Sequence, residues 1–242
     1  MTLGAMQPYL LPYLGFYQLI QAVDTYLICD DLQYTDGWMK KNRVLIDCKR
    51  AKPNFFGLPV KHAAQTLKIN EREFSEQSPQ SEKIKLMAYL DSIYQKAPYY
   101  KEHREVIERI VMYPDNNIGH YNAFGIQTMA KYLQIPTKII ISSEVNDDIY
   151  HETMDSLSCQ DMVLYLCKYH KADHYINAIG GVGLYDKAVF AQHGIQLDFI
   201  QMDTIRYQQY SKYFVECLSI VDVLAFHTLE QVQELLLRYT LI

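Results

Sequence analysis

The sequence has no long apolar run, no leader pattern and no excess of basic charge, and each absence argues against a class of protein. No stretch of 18 apolar residues occurs, so no segment is expected to span a membrane. No basic region followed by an apolar run opens the chain, so no signal peptide is expected. With 23 Lys and Arg against 28 Asp and Glu, the net charge is −5. General electrostatic binding to nucleic acid is therefore not expected.

Cysteine and histidine patterns of the kind that hold metals are also missing. The cysteine count is odd, no pair has CxxC spacing, and four of the five lie among apolar residues, which indicates reduced, buried thiols in a cytoplasmic protein. The five are Cys29, Cys48, Cys159, Cys167 and Cys217. None of the eight histidines forms HExxH or another metal-ligand spacing, so no metal site is expected.

The composition that is present is that of a globular protein of 242 residues, with 49% hydrophobic and 21% charged residues. A chain of this length buries roughly 70–75% of its unfolded surface, which is enough for one domain over residues 1–242. Tyrosine is unusually frequent, with 21 Tyr against 9 Phe. Each buried tyrosine ring needs a partner for its hydroxyl group.

The order of apolar patterns predicts an α/β fold with a mainly parallel sheet. A helix ending near Ala22 precedes the buried strand Thr25–Cys29, which is a βαβ-like opening. Further strands are predicted at 138–141, at 174–177 and, half-buried or at an edge, at 195–200. Helices are predicted at 81–95, 101–112 and 118–133, within a helix-rich insert over about 64–134, and at 158–169, 185–193 and 228–239.

Compact polar clusters follow three of the predicted strands, where ligands bind in α/β sheets. The clusters are Asp30, Asp31 and Gln33; Ser142 and Ser143; and Asn177, Gly180, Gly181, Tyr185 and Asp186. We expect them to converge on one cleft that binds a small molecule. Each cluster taken alone also fits a turn or a helix cap, and the glycine loop lacks both a P-loop lysine and GxGxxG spacing.

Neighbouring residues on a strand point to opposite faces, so only one of the two aspartates is expected to act in chemistry. We assign this role to Asp31, because Gln33 shares its face, and a turn-forming role to Asp30. Arg43, which follows Asn42, carries a guanidinium fork that suits a carboxylate or phosphate. The alternative for Arg43 is an ordinary surface arginine.

The motifs along the chain resemble those of the WbqC-like family over nearly its whole length. The resemblance begins with Gln7–Ile20 (QPYLLPYLGFYQLI) and continues through Asp30-Asp31-Leu32-Gln33-Tyr34, Trp38 and Asn42-Arg43. It extends through Ile141-Ser142-Ser143, Tyr175-Ile176-Asn177 with Gly180-Gly181, and Leu218–Leu224. Proteins of this family are encoded in clusters for O-antigen and other surface polysaccharides. The resemblance implies glycine or other amino-acyl transfer to a sugar.

The opening also resembles the nucleotidyltransferase fold, which implies a Rossmann-like sheet. Pro12 and Gly15-Phe16 occupy places that match this fold's first nucleotide loop, and Ile141-Ser142-Ser143 resembles its second. Phe16, however, replaces the histidine that steadies the transferring phosphate. Ordinary nucleotidyl transfer would therefore lack its main charge stabiliser.

The leading interpretation is an acyl or amino-acyl transferase that modifies an activated sugar. In it, Asp31 and Asp30 orient or deprotonate the acceptor, and Asn42 and Arg43 hold an anionic group. Gln7, Tyr9, Tyr13, Tyr175 and Tyr185 would contact the ligand. The alternatives are a nucleotide-dependent ligase or nucleotidyltransferase with an altered loop, and a non-catalytic binding subunit. Cofactor and oligomeric state are left open.

Overall fold

The computed structural model describes residues 1–47, 52–75, 79–157 and 159–242. Its strands are β1 (Thr2–Met6), β2 (Thr25–Ile28), β3 (Lys41–Asp47), β4 (Lys52–Gly57), β5 (Lys138–Ile141), β6 (His174–Ala178), β7 (Gln196–Met202) and β8 (Tyr239–Leu241). Its α-helices are α1 (Leu14–Gln21), α2 (Pro79–Tyr94), α3 (Tyr100–Val111), α4 (Ile118–Tyr132), α5 (Asp148–Ser156), α6 (Cys159–Tyr169), α7 (Lys187–Gln192), α8 (Ile220–Phe226) and α9 (Leu229–Leu236).

Six of the strands form one sheet in the order β5-β2-β1-β6-β7-β8. The first five strands in this order are mutually parallel, and only β8 runs antiparallel, beside β7. β3 and β4 form a separate antiparallel pair. The strand order reverses between β1 and β6, as in Rossmann-like sheets. The predicted fold class, α/β with a mainly parallel sheet, is confirmed.

Successive side chains of β2 point to opposite faces of the sheet, and each face is covered by its own hydrophobic cluster. Tyr26 and Ile28 belong to one hydrophobic cluster, which also contains residues of α1, α2, α3, α4 and α8. Leu27 belongs to the other cluster, with residues of α5, α6 and α7. Helices therefore cover both faces, and the carboxyl ends of the parallel strands form one edge of the molecule.

Three elements differ from the sequence prediction: the helices α5 and α8 and the strand β8. Each helix begins at a side-chain cap, and the strand forms by pairing with a segment far away in the chain. α5 and α8 were not predicted; they begin where Asp147 and Ser219 accept hydrogen bonds from backbone N–H groups in the first turn. The prediction of a tail helix reaching residue 239 was wrong, because α9 ends at Leu236. Tyr239–Leu241 pairs with β7, which lies about 40 residues earlier in the chain.

The cysteines also differ in part from the expectation that they are buried. Cys29 and Cys167 are buried, whereas Cys159 and Cys217 are exposed. Cys48 lies outside the described residues. Among the helices that the structure describes, none has both the length and the apolar character needed to cross a membrane.

Candidate functional site

A crevice of about 400 Å³ lies between the carboxyl ends of β1 and β6, where the strand order reverses. This is the position at which open α/β sheets bind their ligands. Gln7 follows β1 on one side, and Asn177 with the loop after β6 forms the other. The remaining wall is mostly apolar and includes Leu32, Trp38, Met162, Val163, Leu166 and Leu184.

The two glycines after β6 have different surroundings in this crevice. A Cβ atom on Gly181 would lie 2.0 Å from Nδ2 of Asn177, so the amide of Asn177 packs directly on this glycine. A Cβ atom on Gly180 would meet no atom within 4 Å. Tyr185 lines the crevice, whereas Asp186 caps α7 by accepting a hydrogen bond from the N–H of Ala188 at 2.8 Å. The glycine loop is therefore open to a ligand at Gly180.

Asp30 joins the end of β2 to the turn after β5. Its Oδ1 accepts a hydrogen bond from the N–H of Ser143 at 3.0 Å, and its Oδ2 accepts one from the Ser143 hydroxyl at 2.7 Å. The side chain is fully buried. Both carboxylate oxygens are thus engaged in holding two strand ends together.

Asp31 differs, because one of its oxygens has no hydrogen-bond partner among the described residues. Its Oδ2 accepts a hydrogen bond from the Ser142 hydroxyl at 2.7 Å, and that hydroxyl also contacts the hydroxyl of Tyr150 at 3.0 Å. Its Oδ1 is buried and has no hydrogen-bond partner. Burial raises the pKa of Asp31, while the Ser142 bond opposes the shift and the charge of Asp30 adds to it.

Asp31 lines a polar cavity of about 310 Å³ together with His151, which the sequence analysis did not single out. The Nε2 of His151 lies 2.7 Å from the carbonyl oxygen of Val145, so this nitrogen carries the proton in the neutral ring. The Nδ1, left with its lone pair, lies 3.8 Å from Oδ2 of Asp31. No sequence motif marks His151, because it lies on α5 and reaches Asp31 only in the fold.

Asn70 adds a further acceptor to the cavity beside Asp31. Asn70 lines this cavity, and its Oδ1 is buried without a hydrogen-bond partner. Carboxylate, amide and imidazole side chains therefore line one cavity, together with Lys68 and Glu71. The acceptor atoms among them suit a ligand that carries N–H or O–H donors, such as an amine or a hydroxyl group.

Asn42 and Arg43, predicted to hold an anion, contact other parts of the chain. The Nδ2 of Asn42 donates to the carbonyl oxygens of Leu10 and Leu11, and its Oδ1 accepts from the N–H of Arg43. One guanidinium nitrogen of Arg43 donates to the carbonyl oxygen of Cys217 at 2.8 Å. The polar atoms of Asn42 thus hold the loop that precedes α1.

Three further predicted residues, Tyr9, Tyr13 and Gln33, line neither the crevice nor the cavity beside His151. The hydroxyl of Tyr9 accepts a weak hydrogen bond from the N–H of Tyr13 at 3.4 Å, and the Tyr9 ring contacts Trp38 edge-on at 5.3 Å. Tyr13 lines a separate cavity of about 240 Å³ beside residues 201–218. The side-chain amide of Gln33 donates to Gln65, and the carbonyl oxygen of Gln33 accepts from Gln7 at 3.3 Å.

The predicted site residues therefore fall into groups. Asp30, Asp31, Ser142 and Ser143 contact one another directly, whereas Gln7, Asn177, Gly180, Gly181 and Tyr185 line the crevice. Asp31 and Ser143 face the cavity beside His151 and not the crevice. Within the part of the chain that the structure describes, no group of three or more His, Cys, Asp and Glu side chains could hold a metal ion.

Comparison with known proteins identifies a family that this chain matches. A model of the WbqC-like protein family matches residues 7–234, which is nearly the whole chain and includes both Gln7 and the loop after β6. No curated protein and no solved structure matches the sequence. The chain therefore belongs to the WbqC-like protein family.

Proposed function

We propose that this protein is an enzyme that transfers an acyl or amino-acyl group to an amino or hydroxyl group of an activated sugar. The observation that carries the proposal is the pairing of Asp31 with His151 in one polar cavity, where Nδ1 of His151 lies 3.8 Å from Oδ2 of Asp31. Acyl transfer needs a base that takes the proton of the attacking group. Membership of the WbqC-like family supports a role in surface-polysaccharide assembly.

In the proposed reaction, His151 is the general base. The acceptor's nitrogen or oxygen forms a bond to the acyl carbon, and its proton passes to Nδ1 of His151. The leaving group departs with the electron pair of the bond that joined it to the acyl carbon. The hydrogen bond from Nε2 to Val145 fixes the ring, and the Asp31 carboxylate stabilises the imidazolium that forms.

The crevice at the end of β1 and β6 would hold the activated part of the substrate. Its position at the reversal of strand order supports a nucleotide or similar planar group, and Trp38 and Tyr185 supply aromatic surface. The open edge at Gly180 would let a ligand approach the backbone.

The same position supports a second candidate, a nucleotide-dependent ligase or nucleotidyltransferase with an altered loop. Phe16 argues against ordinary nucleotidyl transfer, because its side chain is only 1% exposed. Its ring packs edge-on against Tyr9, Tyr17 and Tyr26 at centroid distances of 5.4–5.8 Å. Phe16 is therefore part of the hydrophobic core, and a different residue would have to stabilise the charge of the transferring phosphate.

The test is a product assay with the purified protein. Nucleotide-sugars are incubated in turn with acyl thioesters, or with glycine and ATP, and mass spectrometry follows the sugar. We expect a mass gain equal to one acyl or glycyl group with wild type, no gain with His151→Gln or Asp31→Asn, and an unchanged gain with the control His193→Gln. His193 is exposed at the end of α7.

Other outcomes would contradict the proposal. Release of pyrophosphate without an acylated product would favour the nucleotidyltransferase or ligase alternative. Saturable binding of a nucleotide-sugar without turnover under any donor would favour the binding subunit. A mass gain that persists in both His151→Gln and Asp31→Asn would support the transfer reaction but show that it does not need these two side chains.

A further inference from the structure

A further cavity, of about 600 Å³, has basic walls although the protein as a whole is acidic. Its lining includes Lys40, Lys61, His62 and Arg72, and Asp36 is the one carboxylate among the described residues that line it. The whole chain has a net charge of −5. A cavity whose described lining has three cations and one carboxylate therefore has the opposite sign of charge to the protein as a whole. The cavity is distinct from the crevice and from the cavity beside His151.

Arg72 is the buried cation of this cavity, and no carboxylate among the described residues pairs with it directly. Its side chain is 8% exposed, and its guanidinium lies over the ring of Tyr34 at 4.6 Å. Its Nη1 donates to the carbonyl of Ala64 at 3.1 Å, and its Nη2 to that of Lys61 at 3.4 Å. The Nε is buried without a hydrogen-bond partner. None of the ion pairs formed among the described residues includes Arg72.

The groups bonded directly to this guanidinium are neutral, and among the described residues Asp36 offsets its charge only at longer range. Two carbonyl oxygens and an aromatic ring offset part of its desolvation cost, and an anion would offset the rest. Of the neighbouring cations, Lys40 pairs with Asp36 at 2.7 Å and Lys61 with Glu73 at 3.4 Å. Both pairs are at the surface, where such contacts are weak and yield to a ligand of higher charge.

We propose that this cavity binds a phosphate or diphosphate group, with Arg72 at its base and Lys40 and His62 on its walls. Several cations in one wide cavity match a group with more than one negative charge better than a single carboxylate. The proposal assigns the anion to Arg72 and not to Arg43, whose guanidinium bonds to the carbonyl of Cys217. It does not depend on the proposed transfer reaction.

Isothermal titration of the full chain with inorganic pyrophosphate tests the proposal. Inorganic phosphate and acetate are titrated in parallel, and all buffers are matched in ionic strength. We expect saturable binding of pyrophosphate, weaker binding of phosphate and no binding of acetate. Absence of saturable pyrophosphate binding, or equal binding of acetate, would overturn the assignment to phosphate groups.

Variants then locate the site. We expect Arg72→Gln to abolish pyrophosphate binding and Lys40→Gln to weaken it about five- to tenfold, because each removes one cation from the cavity. Lys85→Gln is the matched control, because Lys85 forms a surface pair with Glu82, as Lys40 does with Asp36, but lies on α2 outside the cavity. Its binding should equal that of wild type.

If Arg72→Gln does not fold, the comparison of Lys40→Gln with wild type still tests the proposed site. Lys40 forms only a surface pair, so its replacement should leave folding intact. Equal affinity in wild type, Lys40→Gln and His62→Gln would show that pyrophosphate binds elsewhere and would overturn the proposed site.

Discussion

Asp30 and Asp31 are adjacent in the chain, yet their carboxylates have different partners. Asp30 has both oxygens bonded to Ser143, at the end of the neighbouring strand. Asp31 has one oxygen bonded to Ser142 and one without a partner. β2 ends at Ile28 and the two aspartates lie in the turn that follows, where one carboxylate holds the fold and the other lines a cavity.

Replacing Asp31 with asparagine should abolish turnover without reducing stability at pH 7. Burial raises the pKa of Asp31 in the folded state above its ordinary value. The folded state therefore holds the proton more tightly than the unfolded chain, and stability from this group is lost as pH rises through the folded pKa. The uncharged amide of the variant avoids this loss.

Urea unfolding at pH 7 and at pH 4 checks the effect of Asp31→Asn on stability. The variant should be at least as stable as wild type at pH 7, and any advantage should shrink at the lower pH. A variant much less stable than wild type at pH 7 would mean that the ionised carboxylate stabilises the fold.

Replacing Asp30 should have the opposite effect. Asp30→Ala leaves the N–H and hydroxyl of Ser143 without their acceptor in a buried place, which should lower the free energy of unfolding by about 2–4 kcal/mol. Ser143→Ala removes only the hydroxyl bond and should cost about 1 kcal/mol. Urea unfolding at pH 7 compares the two variants. Equal stability of Asp30→Ala and wild type would contradict this role.

At the scale of elements, the loop between β1 and α1 depends on side chains from distant segments. Leu11 has a φ of 42°, a backbone conformation that non-glycine residues rarely adopt. Its carbonyl oxygen accepts hydrogen bonds from Asn42 Nδ2 at 2.5 Å and from the Ser219 hydroxyl at 2.8 Å. These contacts tie the start of α1 to β3 and to the start of α8.

Asn42→Ala should therefore act on stability. The variant loses the bonds to Leu10 and Leu11, and the free energy of unfolding should fall by about 2–3 kcal/mol. Thermal or urea unfolding measures this change, and calorimetric affinity for any ligand of the crevice is measured on the folded variant. A loss of affinity with stability unchanged would restore the role in ligand binding that the sequence indicated.

The two glycines of the loop after β6 offer a matched pair of variants. A methyl group on Gly181 would displace the amide of Asn177, whereas one on Gly180 meets open space. Since the amide is the end of a side chain, Gly181→Ala should cost less than about 1 kcal/mol of stability. It should nevertheless weaken nucleotide-sugar binding about three- to tenfold, because Asn177 lines the crevice.

Gly180→Ala is the control for the displacement of Asn177. Thermal-shift titration with the same nucleotide-sugar measures both variants. An equal loss of affinity in the two would indicate that the ligand touches the loop backbone itself. An unchanged affinity in Gly181→Ala would remove Asn177 from the binding site.

At the scale of the whole molecule, two buried histidines should each contribute a loss of stability as the pH drops from 7 toward 5. Burial lowers the pKa of His170 and of His227 from the ordinary value of 6.5, and Lys138 adds to the shift at His170. Below pH 6.5 the unfolded chain takes up protons that the folded rings resist, so the unfolded state gains stability. Urea midpoints measured across this range should therefore decrease more in wild type than in a variant that lacks both rings.

Histidine variants identify the groups responsible. His170→Gln combined with His227→Gln should flatten the dependence between pH 7 and pH 5, whereas the exposed His193→Gln should follow wild type. An unchanged slope in the double variant would assign the effect to other groups.

Local sequence patterns were enough to predict the main strands, the long helices and the family. Apolar runs such as Thr25–Ile28 and helical spacing such as that in α3 are local signals, because each buried element must show the period of its own backbone. The polar residues after β2, β5 and β6 were likewise visible, since parallel strands bring their carboxyl ends to one edge.

How those polar residues are used depends on contacts that form only in the folded chain. The different roles of Asp30 and Asp31 depend on their bonds to Ser143 and Ser142, which lie more than 100 residues away in the chain. His151 reaches Asp31 from a helix with no motif, and β8 forms only because β7 offers an edge. Contacts of this kind join segments far apart in the chain, and no local period or spacing records them.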